Sequence, residues 1–129
     1  MNNLYTDYAR VLHNEDLQCL EVTFIGFITL DELKKIVEYE FEMFTHYALK
    51  KCIVNLREIT VYPVGGQEYI KTVWFPWVVK HGLQVLAFVV PDDVFTKMSI
   101  QAAHASGMQL MMTKYFQNSL DAQHWVKSR

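Results

Sequence analysis

Chemistry needs histidines, cysteines, carboxylates or hydroxyls at spacings that let them act together, and this chain offers few such sets. Its five histidines are His13, His46, His81, His104 and His124. No two share the i,i+4 spacing that puts two ring nitrogens on one helix face, and no cysteine pair stands beside them. Neither a metal nor a cofactor is expected. Ser99, Ser106 and Ser119 lie in or beside expected helices without an obvious base. No G-x-S-x-G elbow, P-loop or G-x-G-x-x-G occurs, and neither Cys19 nor Cys52 carries a catalytic signature. The carboxylates Asp92 and Asp93 read as a helix start, and Glu38, Glu40 and Glu42 as a mostly solvated helix face. No catalytic residue is assigned, and the chain is not expected to be an enzyme.

Two stretches are less bland. In "LREITVYPVGGQEYIKT", residues 56–72, Tyr62, Val64, Gly65, Gly66 and Gln67 join an expected strand to an expected helix. Adjacent glycines there suit a bare turn or one small anion, and the stretch is too short for a dinucleotide fingerprint. In "WFPW", residues 74–77, Trp74, Trp77 and Val78 share one helical face while Phe75 and Val79 point elsewhere. A helix apolar nearly all round is sandwiched, lines a pocket or forms an interface. Trp74, Phe75 and Trp77 are therefore candidates for an apolar pocket or interface.

These residues must be held by regular elements. Tyr8–His13 and Leu17–Phe24 read as strands joined by the polar turn Asn14–Asp16, an antiparallel hairpin. Thr29 and Glu32 have capping-box spacing, and Asp31 favours the positive end of the helix that follows. Leu30, Leu33, Val37, Phe41, Phe44 and Ala48 recur at three- and four-residue steps as its apolar face. Ile53–Leu56 reads as a buried strand and Gln67–His81 as a helix. Pro76 lacks an N–H, so a kink or a new helical segment is expected there. Gln84–Val90 is nearly all apolar, as a parallel strand covered on both faces should be. A third helix, capped by Asp92 or Asp93, is expected to run to about Ser106. Gln109–Phe116 reads as a last strand, with Met108, Met111 and Met112 as adaptable apolar surface near a sheet edge that invites dimerisation. Asn118 or Ser119 caps a final helix ending near Lys127. The order ββαβαβαβα implies an α/β fold: a mostly parallel sheet with one antiparallel strand at its N-terminal side and about four helices.

At 129 residues the chain suits a single domain, residues 1–129. Its 51% hydrophobic and 14% aromatic content leaves apolar surface for a protein partner or a small apolar ligand. Twelve Lys and Arg residues are scattered and the net charge is −2, against a nucleic-acid partner. There is no run of 18 apolar residues and no secretory h-region at "MNNLYTDYAR", so no membrane insertion is expected and the cytoplasm is the expected location. The two cysteines lie in apolar runs and read as small buried hydrophobes.

Element order, together with "IVNLREITVYPVGG" and "VLAFVVPDDVFTKMSI", resembles the STAS or SpoIIAA-like family, the fold of the bacterial anti-sigma-factor antagonists. In those proteins the strand-to-helix loop carries Asp-Ser before a glycine, and phosphorylation of the serine controls partner binding. Along this chain the Asp falls on Pro63, the serine region on Val64 and Gly65, and the glycine on Gly66. No hydroxyl occurs at 63–66, and Thr60 and Tyr62 are out of register. The resemblance implies a non-catalytic interaction module without the phosphoserine switch, and a homodimer is expected. The wider fold group includes lipid carriers, which makes a pocket lined by the Trp74–Trp77 segment the alternative.

Overall fold

The computed structural model describes residues 1–94 and 111–129. Six strands form one sheet in the order β1-β2-β3-β4-β5-β6. They are β1 Leu4–Tyr5, β2 Ala9–Asn14, β3 Cys19–Phe27, β4 Lys51–Val61, β5 Val85–Val89 and β6 Met112–Phe116. β2 pairs antiparallel with both β1 and β3. From β3 to β6 every pairing is parallel. The hairpin, the parallel remainder and the expected order are all present. β1 is an addition, too short at two residues to show an alternation.

The helix α1 spans Leu30–Tyr47, and its start is the one the sequence spells out. Thr29 Oγ1 accepts from the Glu32 N–H at 3.2 Å, and Glu32 Oε1 accepts from the Thr29 N–H at 3.0 Å. Two otherwise orphaned donors are satisfied. Its buried stripe is Leu33, Ile36, Val37, Glu40, Met43 and Phe44. This stripe is rotated from the face expected through Leu30 and Phe41, and it corrects the reading of Glu40 as part of a solvated face. Glu40 is 2% exposed.

β4 is longer than the expected Ile53–Leu56 because irregular pairing with β3, after Thr23 and again after Gly26, lets its exposed second half continue to Val61. The next helix starts at Gly66 and is not uniform. An α segment, α2 (Gly66–Tyr69), passes into a π turn at Ile70–Trp74 and then α3 (Phe75–Lys80). The Phe75 N–H donates to the Ile70 carbonyl, five residues back. Pro76 explains this. It has no N–H to offer the Thr72 carbonyl, and its ring crowds that turn. Widening the turn by one residue relieves the clash, and such π turns concentrate at functional sites. The expected new segment at Pro76 therefore begins one residue earlier.

Parallel crossovers place α1 and the α2–α3 helix on one face of the sheet, as one handedness of connection requires. That face holds the larger core, including Leu20, Val22, Cys52, Val54, Leu86 and Trp74. The opposite face carries Cys19, Ile53, Val85, Ala87 and Val89 under α4, Ser119–Lys127. Alternation along β5 thus covers both of its sides, which is why it reads as a continuous apolar run. Asn118 caps α4 by accepting from the Asp121 N–H at 2.9 Å. A helix begins at residues 92–94; its expected end near Ser106, together with Met108 and Gln109, lies outside the described residues.

Candidate functional site

Cys19 and Cys52 are on adjacent strands but belong to cores on opposite faces of the sheet, so they do not pair. Burial pushes the Cys19 thiol up to about 12 and raises Cys52 too, which leaves both as protonated, poorly nucleophilic hydrophobes. Among the described residues no group of His, Cys, Asp or Glu could hold a metal ion, and no helix is long and apolar enough to cross a membrane.

The strand-to-helix junction is shaped by sterics. Gly65 caps the helix at φ +82°, a left-handed backbone that L side chains rarely adopt. A Cβ on Gly66 would lie 2.6 Å from the Tyr62 ring and 2.9 Å from Pro63 Cγ. Both glycines are therefore explained by the turn and by the close approach of Tyr62. The Gly66 N–H is already spent on the Pro63 carbonyl at 2.9 Å. Val64, at the tip, is 95% exposed.

Tyr62 connects this junction to two hollows on the α1 side of the sheet. The inner one, about 50 Å³, is lined by Phe24, Glu40, Val54, Leu56, Tyr62, Ile70, Trp74 and Phe88. The outer one, about 550 Å³, shares Leu56, Tyr62, Ile70 and Phe88 with it. Ile59, Gln67, Lys71, Phe75, Val94 and Tyr115 are among its other walls. The shared residues make the two hollows neighbours along one apolar wall.

Glu40 is the polar group of the inner hollow. Trp74 Nε1–H donates to Glu40 Oε1 at 3.0 Å, fully buried. Desolvation disfavours the carboxylate and pushes Glu40 up to about 8, while the Trp74 hydrogen bond pulls the other way. At neutral pH the carboxyl is therefore mainly uncharged. Burial, and then Glu40, push the Tyr62 hydroxyl up to about 12. Burial likewise raises Tyr115. Glu40, Tyr62 and Tyr115 thus favour their neutral forms, and Lys71 brings a basic side chain to the outer hollow alone.

The candidate aromatic residues are separated by the structure. Trp74 lines the inner hollow and Phe75 the outer. Trp77 turns to a third hollow of about 220 Å³ with Phe44, Lys50 and His81, stacked between Phe41 at 4.1 Å and His81 at 3.8 Å. Of the junction residues, Tyr62 and Gln67 reach the cavity, while Val64 faces solvent. Sequence reasoning missed Glu40. Its signal was present, because it lies three residues after Val37 and four after Ile36 on the buried stripe.

Arg57 secures the strand ends around this wall. Its Nη1 donates to the carbonyls of Val90 at 3.1 Å and Gln117 at 2.6 Å, and pairs with Asp92 at 3.1 Å. One guanidinium thereby joins β4 to the ends of β5 and β6.

No protein-family model matches the chain. No curated protein matches it either. Among solved structures it is similar to an uncharacterised protein of the DUF3478 family from Shewanella loihica PV-4, described as having a SpoIIAA-like fold. The match covers 98% of each chain with a TM-score of 0.55 and 14% identity. The chain therefore has a SpoIIAA-like fold, as its element order implied. At that identity the likeness is one of fold, and function must be argued from the cavity.

Proposed function

We propose that this chain is a non-catalytic STAS-like binding module that takes a small apolar molecule into the cavity beside Tyr62. The observation that carries this reading is the outer hollow of about 550 Å³, walled by Leu56, Ile59, Ile70, Phe75 and Phe88. Ligand sites commonly have volumes of roughly 300–1,000 Å³ and mostly apolar walls. Naphthalene, which has no polar group, is a suitable probe. Saturation-transfer NMR should show it bound to the wild type and displaced in Ile70→Trp, which fills the shared wall. Absence of transfer to the folded wild-type protein would contradict the reading.

A second reading, a protein partner or a second copy of the chain, is favoured by a different observation. Phe27 is 64% exposed and Val61 47%, their Cα atoms are paired in register, and the exposed Val64 follows three residues after Val61. Solvent-facing apolar residues grouped in this way mark interaction surfaces. The resemblance would set Val64 and Gly65 at the antagonists' serine, and with no hydroxyl at 63–66 the proposed contact is constitutive rather than phosphorylation-controlled. Light scattering over a dilution series should show a dimer that Val64→Asp dissociates. A monomer at every concentration would remove the self-association form of this reading.

A further inference from the structure

We infer that the inner and outer hollows form one site for an uncharged amphiphile, an alcohol or primary amide, whose polar end is held by the Glu40 carboxyl. This rests on the small-molecule reading above and names the ligand class. The apolar body would occupy the outer hollow, and the polar end would pass the shared wall of Leu56, Tyr62, Ile70 and Phe88. An inner hollow of about 50 Å³ has room for a few water-sized groups and nothing larger.

The chemistry at the floor selects the polar end. Glu40 is 2% exposed and lies among Phe24, Val54, Leu56 and Phe88. Trp74 Nε1–H is its one hydrogen-bond partner among the described residues. A protonated carboxyl offers an O–H donor and further acceptor sites, so one incoming donor leaves capacity unused. A hydroxyl or amide both donates and accepts and can meet both needs. An anion cannot, because no described residue of the inner wall is cationic. Lys71 stands on the outer wall, where it would hold a carboxylate away from Glu40.

The groups around Glu40 are accounted for. Its charge is felt at Cys52 beneath it on β4, at Tyr62 beyond β4 and at Tyr69 on α2. The first is a buried thiol and the other two are phenols, all three raised chiefly by burial, so they supply no positive charge to compete for the site.

The test uses n-octanol, octanoate and naphthalene with the full chain, by isothermal titration near neutral pH. Wild type should bind n-octanol about tenfold or more tightly than octanoate, the scale of leaving one buried polar group unsatisfied. Glu40→Leu should lose about tenfold in n-octanol affinity and keep its naphthalene affinity. Glu40→Gln, whose amide still donates and accepts, should retain n-octanol and serves if the leucine variant does not fold. The inference is overturned if octanoate binds more tightly than n-octanol. It is equally overturned if the substituted proteins (Leu with n-octanol unchanged, or Gln with n-octanol lost) behave oppositely. Naphthalene binding without any preference for n-octanol overturns this inference alone, whereas failure of all three probes also overturns the small-molecule reading.

Discussion

Wild-type protein should lose stability as the pH rises from about 4.5 to about 8, and Glu40→Gln should abolish that component of the loss. Below about 4.5 the Glu40 carboxyl is protonated whether the chain is folded or unfolded. Between 4.5 and about 8 the unfolded chain has released the proton while the folded chain still holds it. The native state binds more protons in this window, so its stability falls with rising pH by roughly 1.4 kcal/mol per unit. Above about 8 both states are ionised and the penalty stays at its full value. Glutamine has no proton to lose. Urea unfolding curves for the two proteins should therefore diverge with pH and favour the variant on the alkaline side. Every other ionisable group is common to both proteins, so the difference between them isolates Glu40. Parallel curves throughout would mean that Glu40 is not buried as described.

Trp74→Ala should be among the most damaging single substitutions in the chain. The ring is 3% exposed and packs within the larger core. Emptying such a site costs about 3–5 kcal/mol. The same change strips Glu40 of its buried donor, a further ~1–3 kcal/mol. Against a typical total of about 5–15 kcal/mol, the variant should be largely unfolded or close to it. Trp74→Phe separates the two effects. It keeps most of the ring and loses the N–H, so it should cost ~1–3 kcal/mol. It should also raise the Glu40 pKa further, because the lost hydrogen bond was the influence lowering it. A double-mutant cycle with Glu40→Gln should give a coupling of roughly 0.5–3 kcal/mol. Strict additivity would show that the 3.0 Å contact carries no energy.

Much of the fold could be read from local rules that act over a few residues. Thr29 with Glu32 and Asn118 with Asp121 are caps whose partners are three positions away, and both are made. The apolar run at Val85–Val89 announced a strand covered on two sides, and it is one. What escaped was set by neighbours distant in sequence. β4 extends past Leu56 because β3 continues beside it with irregular register. Pro76 told of a broken hydrogen-bond ladder but not of its form, which is an extra residue in the turn from Ile70 to Trp74.

The candidate site was half legible for the same reason. Tyr62, Gly65 and Gly66 stood out as a strand-to-helix junction, and their roles in the turn are local. Trp74, Phe75 and Trp77 stood out as excess aromatic surface. Their division among three hollows follows from their positions round the helix, where each residue is turned by about 100° from the last. Glu40 was hidden by its company, since Glu38 and Glu42 flank it two residues away on either side and both are solvated more than it is. Only a stripe drawn through Ile36, Val37, Met43 and Phe44 sets it apart.

The account centres on an uncharged Glu40 at the floor of a binding cavity, and the carbon-13 shift of its carboxyl reports both properties at once. Followed through a pH titration with and without n-octanol, the signal should titrate near 8 in the free protein and move when the alcohol is added. Titration near the ordinary value of 4.5, with no response to the alcohol, would contradict the account.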